Sequence, residues 1–274
     1  MNNVIKVLLI IILFLIVAAL SLFMIFVING KFNFSLFGFG ESTTLVEEKE
    51  FEDETIKDII VKAKTSNVYI KHSTNGKYKA EIYSDNDLDH SIKLDDNKDL
   101  IVELEENKRF FMTKTPKIVL YVPSEFENEF DIETKTGDIE AESYEKANFN
   151  IKVTTGDVNL GKTNDVKVEG TTGDIEISSV NDIYIKTTTG DIKISDVLKH
   201  LDLTTTTGDI RIDSINLTEN SNINATTGDI RIDKKNDVYV DGSAKTGDVK
   251  VNDNNRHSEV ELTIKTTTGD IKVG

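Results

Sequence analysis

Apolar and polar residues alternate along most of the chain, and the alternation breaks at a recurring point. Residues 183–194 read "IYIKTTTGDIKI", with Ile183 and Ile185 before Gly190 and Ile192 and Ile194 after it. A period of two marks a strand with one buried face. Inward parity runs from Ile183 through Ile185, Thr187 and Thr189, and the next inward residue is Ile192, three along instead of two. An extra residue at a glycine predicts a bend or bulge where a Cβ would be excluded. Asp191 suits the following position because its short side chain accepts local backbone N–H groups.

The same corner recurs eight times, as Gly137-Asp138, Gly156-Asp157, Gly173-Asp174, Gly190-Asp191, Gly208-Asp209, Gly228-Asp229, Gly247-Asp248 and Gly269-Asp270. Successive glycines are 19, 17, 17, 18, 20, 19 and 22 residues apart, and a threonine precedes each one. Ile or Val stands two past every glycine, and an apolar residue stands four past. Each unit is therefore strand, corner, strand, loop. Such a unit is too short for a propeller blade of about 40–45 residues and has no helical period. One unit cannot bury its own apolar face, but stacking does so. The expectation is an all-β fold: a parallel β-solenoid of about eight or nine coils over residues 134–274, with Val166/Val168, Leu201/Leu203 and Leu262/Ile264 in the inner columns. A sandwich of antiparallel hairpins is the competing arrangement.

Residues 45–133 are β-rich but less regular. "TSNVYIKHS" at 65–73 reads as a decayed copy, with Asn67-Val68 in place of Gly-Asp. "TNGK" at 74–77 predicts a hairpin turn, and "SIKLDDNKDLIVELEE" a second hairpin. This region is expected to form an irregular cap and early coils. At the other end the chain stops one residue past Val273, with no polar capping helix. The last coil is therefore expected to present an open strand edge for a partner or a second copy.

The first residues break the pattern altogether. Residues 7–28, "VLLIIILFLIVAALSLFMIFVI", carry no charge. A helix of that length spans about 33 Å, enough for a hydrocarbon core of about 30 Å. The run is longer than a signal-peptide apolar region. A single transmembrane helix is expected, with residues 1–6 cytoplasmic and residues 29–44 as a juxtamembrane linker. Lys6 before the span and the acidic Glu47, Glu48 and Glu50 after it favour an extracytoplasmic remainder. Phe32, Phe34, Phe37 and Phe39 are expected to rest at the outer leaflet.

Composition then narrows the chemistry. The 274 residues contain no cysteine, which excludes disulfides and thiolate metal sites, and a net charge of −16 argues against nucleic acid. Aligning the copies places Glu140, Asn159, Glu176, Lys193, Arg211, Arg231, Lys250 and Lys272 in one outward column. The five cations Lys193, Arg211, Arg231, Lys250 and Lys272 either gatekeep a solvated face or form a track for a polyanion. The aspartate column reads as turn capping, with calcium bridging as the alternative. The four histidines have no metal-ligand spacing and no catalytic motif is present, so no cofactor, metal or catalytic residue is expected.

The motif V-x-V/I-x-T-T-G-D-I/V-x-I/V, following "IVLYVP" at 118–123, resembles the bacterial putative-adhesin family with β-strand repeats. Its membrane-anchored members include LiaG-like proteins of Gram-positive envelope-stress operons. The resemblance covers roughly residues 55–274 and implies a β-solenoid outside the membrane, linked to envelope stress, with no catalytic residues to carry over. The expected role is binding or scaffolding at the cell envelope, toward a wall polymer or a membrane protein. A signalling accessory of a membrane sensor and an enzyme acting on wall polysaccharide are the alternatives.

Overall fold

The computed structural model describes residues 44–52, 55–84, 88–105 and 115–274. The expected membrane helix at 7–28, its flanks at 1–6 and 29–43, and the four phenylalanines lie outside these residues. Among the described residues no helix is long and apolar enough to cross a membrane.

The described chain is all β. Seven strands precede the regular repeat: β1 (Leu45–Phe51), β2 (Ile59–Thr65), β3 (Asn67–His72), β4 (Tyr78–Tyr83), β5 (Asp89–Leu94), β6 (Leu100–Glu105) and β7 (Lys117–Val122). The repeat begins with β8 (Glu129–Thr136), β9 (Ile139–Ala141), β10 (Asn148–Thr155), β11 (Val158–Lys162) and β12 (Asp165–Thr172). Two long strands follow, β13 (Ile175–Lys186) and β14 (Ile192–Thr207), each serving two successive units. The chain ends with β15 (Ile210–Ile215), β16 (Ser221–Thr227), β17 (Ile230–Lys234), β18 (Tyr239–Thr246), β19 (Val249–Val251), β20 (Glu261–Thr268) and β21 (Ile271–Val273).

Strands one repeat apart pair in parallel and in register. Ile175, Ile192, Ile210 and Ile230 are successive ladder partners, as are Ile183 and Leu201. The hairpin sandwich is thereby excluded for the repeat. Two parallel ladders run side by side, one before the corners and one after them. Each rung contributes one strand segment to each ladder.

The rungs do not stack in sequence order at either end. The corner at Gly269 lies between those at Gly228 and Gly247, because β20 pairs with both β16 and β18, and β21 with both β17 and β19. The mirror case holds at the start: β2 lies between β6 and β8, and β3 between β7 and β9. Ten rungs result among the described residues, two more than there are Gly-Asp corners. The expected open edge at the C-terminal coil is thus corrected. The last coil is interior, and the edge rung is Tyr239–Val251.

Antiparallel strands close the opposite end. β5 covers β6, β4 covers β7, and β1 adds to β4. The β5–β6 pair is the second predicted hairpin. The first is not a hairpin: β3 and β4 each pair with β7, which lies between them, so "TNGK" is a connection over one strand. The decayed copy is also one residue out of place. Asn67 aligns with Asp138, so Ser66-Asn67 stands for Gly-Asp.

Burial follows the parity. Residues two and four past each glycine are buried, except Val249 and Val251 on the edge rung. Thr187 is buried but Thr189 is exposed, so the inward phase stops one position earlier than the alternation predicts. Thr134, Thr205 and Thr266, at the same position as Thr187, are buried too, and each hydroxyl donates to the carbonyl two residues on. That bond removes the cost of a dry hydroxyl.

Candidate functional site

The corners form one line. All eight glycines have φ between +131° and +147°. The Gly190 N–H donates to the Thr207 carbonyl at 3.0 Å, and equivalent bonds of 2.9–3.1 Å join the other interior corners. Each following aspartate donates its backbone N–H to the carboxylate of the corner before it. Asp209 N–H reaches Asp191 Oδ1 at 2.8 Å, and Asp191 N–H reaches Asp174 Oδ1 at 2.8 Å. The chain of acceptors starts at Asn67 Oδ1 and passes through Asp229 to Asp270, whose Oδ1 accepts the Asp248 N–H at the last corner. Stacked carboxylates about 5 Å apart would repel; here each interior one is bound to an N–H instead. Among the described residues, no three His, Asp or Glu side chains converge to hold a metal ion.

The role of Asn67 supplies a test. An amide oxygen takes the carboxylate's place at the first corner, so Asp191→Asn should leave stability within about 0.5 kcal/mol, whereas Asp191→Ala should lose about 1 kcal/mol. Urea unfolding of the two variants checks this. Equal losses would mean that the negative charge, and not the acceptor, matters.

The outward column three past the glycines also stands in register, in the order Lys193, Arg211, Arg231, Lys272, Lys250. The two terminal rungs exchange places but both carry lysine, so the row is unbroken. Before Lys193 the column holds Glu140, Asn159 and Glu176, and its sign changes there. Lys193 Nζ meets Glu176 at 2.6 Å. Arg211 Nε meets Asp213 at 2.7 Å, and Arg231 Nη2 meets Asp229 at 2.9 Å. Lys272 and Lys250 have no carboxylate within 4.0 Å among the described residues. A shallow hollow of about 170 Å³ lies among Arg211, Asp213, Arg231, Asp233 and Lys272.

Two further hollows were not foreseen, because each combines several columns. The larger, about 440 Å³, opens before the corners where Gly170 lacks a side chain. One of its columns alternates Glu133, Lys152, Glu169, Lys186 in direct register. Those four were readable from the aligned copies four positions before each glycine. The second, about 380 Å³, is lined by Glu129, Asp165, Asp182, Tyr184 and His200. Burial, then the neighbouring Asp131, holds the Glu129 carboxyl above its ordinary range. Burial, then Asp182, does the same for Asp165. Lys199 answers Asp182 at 2.9 Å.

Residues 56–274 match the family described as Toastrack DUF4097. No curated protein matches the chain. Two solved structures share the fold at low sequence identity. One, described as a putative adhesin from Bacteroides fragilis, has TM-score 0.55 and 16% identity over 85% of this chain and 99% of its own. The other, described as a putative lipid binding protein from Parabacteroides distasonis, has TM-score 0.52 and 12% identity over 85% of this chain and 99% of its own.

Proposed function

Because the chain belongs to the Toastrack DUF4097 family and shares its fold with a structure described as a putative adhesin, we propose that it is a β-solenoid binding module displayed on the outer side of the cell envelope. Residues 7–28 would anchor it as a single membrane helix, with residues 1–6 cytoplasmic, in an envelope-stress setting. Its ligand in this reading is an anionic wall polymer lying along Lys193, Arg211, Arg231, Lys272 and Lys250. The observation that carries the reading is the register: five cations on five adjacent rungs, about 4.8 Å apart, on a chain of net charge −16.

A repeated anion matches such a row better than a compact one does, since each rung offers one charge. Asp213 and Asp229 reduce the charge of the two arginines and lower affinity per contact. Several weak contacts along one polymer then act together. Lys272 and Lys250 are the two whose ammonium groups meet no carboxylate among the described residues. The reading is of binding rather than catalysis, because the corner carboxylates are committed to backbone N–H groups.

Binding of the full chain to purified anionic wall polymer tests this. Affinity should fall roughly tenfold on raising salt to a Debye length of about 3 Å. Reversing all five cations to glutamate should abolish it, and Lys250→Glu with Lys272→Glu should remove most of it. Retention of binding by the five-fold variant would dismiss the row as the site.

A further inference from the structure

The Tyr239–Val251 rung is the one place in the described stack where both ladders end without a covering strand. The far end carries β5, β4 and β1 laid antiparallel on it. Here β18 pairs only with β20, and β19 only with β21. Val249, two past Gly247, is 42% exposed, whereas its equivalents Ile192, Ile210 and Ile230 are at 1%, 1% and 0%.

The edge is partly closed by its own loop, and this shows which groups remain. Asn254 Oδ1 accepts the Val240 N–H at 2.8 Å, and Asn254 Nδ2 donates to the Val240 carbonyl at 2.9 Å. The Tyr239 N–H points the other way, to the Val260 carbonyl at 2.9 Å. Backbone groups alternate along a strand. Gly242 and Ala244 therefore turn their N–H and C=O groups outward, as Val240 does, but beyond the reach of that asparagine. Asp241, Ser243 and Lys245 alternate with them and point to the outer face, all exposed.

We propose that this edge pairs with the same edge of a second copy, β18 against β18 antiparallel, about a two-fold axis through Ser243. In that register Gly242 exchanges backbone hydrogen bonds with Ala244 of the second copy, and the reverse holds, so all four outward groups are used. Ser243 faces Ser243. Asp241 faces Lys245 on the adjoining strand, twice, by symmetry. Directly opposed unlike charges on antiparallel strands stabilise the pair. Sliding the register by two puts Asp241 or Lys245 opposite Ser243 and leaves both charges unmatched. The cap at Val240 ends the ladder there, which limits it to one short isologous contact and prevents open-ended growth. The pairing uses none of the outward cations Lys193, Arg211, Arg231 and Lys272, so it goes beyond the polymer-binding reading and does not depend on it.

The chain has no cysteine, so Ser243→Cys places a single thiol on the axis. Opposed residues of a non-hydrogen-bonded antiparallel pair have Cα atoms about 4.5 Å apart, within disulfide range. The full chain in detergent micelles, mildly oxidised, should give a covalent dimer about tenfold faster with Ser243→Cys than with Asn222→Cys, an exposed outer position two rungs in from the edge. Adding Lys245→Asp to the Ser243→Cys protein should slow the reaction, and adding Asp241→Lys as well should restore it. All three positions are exposed, so these variants fold. Equal rates for the two thiols would overturn the proposal. So would failure of the charge swap to rescue, or an adduct in native membranes whose mass is not that of two copies.

Discussion

Gly190→Ala should cost about 3 kcal/mol or more, although it adds one methyl group. Two separate penalties combine. The φ of Gly190 is +134°, a region that residues with a Cβ rarely occupy. A Cβ there would also lie 2.0 Å from the carbonyl oxygen of Gly173 and 2.6 Å from its carbon. That obstacle is backbone, held by the Gly173 N–H bond to Thr189 at 3.1 Å, and cannot rotate away. Nor can Gly190 retreat, because Gly208 is packed over its carbonyl just as closely: a Cβ added to Gly208 would meet the Gly190 oxygen at the same 2.0 Å. Relief would have to separate rungs and break the ladder around them. Gly76→Ala is the control. Gly76 has φ +75°, and a Cβ added there would meet nothing within 4 Å, so it carries the conformational penalty alone, about 1 kcal/mol. Urea midpoints of the two variants decide the matter, and similar losses would mean that stacking at the corner contributes nothing.

The corner explains why the repeat was legible without coordinates. A position that favours glycine this strongly, followed by one whose side chain must accept an N–H, writes the same two letters at eight of the ten described rungs. Period two then names the inner columns, and Ile192, Leu203 and Ile264 are buried as the alternation implies. The order of rungs at the ends was harder to read, because identical columns let the rung of Gly269 sit on that of Gly228 or on that of Gly247 equally well. What separates the possibilities is bulk. The rung of Gly269 offers Leu262, Ile264, Ile271 and Val273 to the interior, whereas that of Gly247 has Val240, Gly242, Val249 and Val251 at the same positions. Burying the larger set on both sides gains about 0.8 kcal/mol per additional CH₂, so the smaller set goes to the end. The 22-residue spacing before Gly269, the longest in the repeat, supplies the chain that reverses direction and returns one rung inward from the edge. Both signals were present in the sequence. The cation row was equally visible, since it needs only aligned copies. Its partial neutralisation was not, because Arg211 could have turned toward several carboxylates and the structure alone selects Asp213.

Ile192→Asp should destabilise by about 3–5 kcal/mol, while Lys193→Ala, one residue along, should cost less than about 0.5 kcal/mol. Ile192 is 1% exposed and lies between Ile175 and Ile210, both buried and apolar, with no donor in the column to receive a carboxylate. The Lys193 side chain is 50% exposed, and its ion pair with Glu176 is correspondingly weak. The two substitutions therefore sample opposite faces of one strand at one rung. The deficit of the first should also depend on pH in a definite direction. Burial raises the folded-state pKa of the introduced carboxyl above its unfolded value, so the charged form carries the penalty. The deficit is then largest above the raised pKa and shrinks as pH falls through it, because the neutral acid costs less to bury. Urea unfolding of both variants at neutral pH and at about pH 4.5 measures each effect. Equal losses for the two, or a deficit that grows on acidification, would place Ile192 on the solvent side and reverse the inward assignment of every rung.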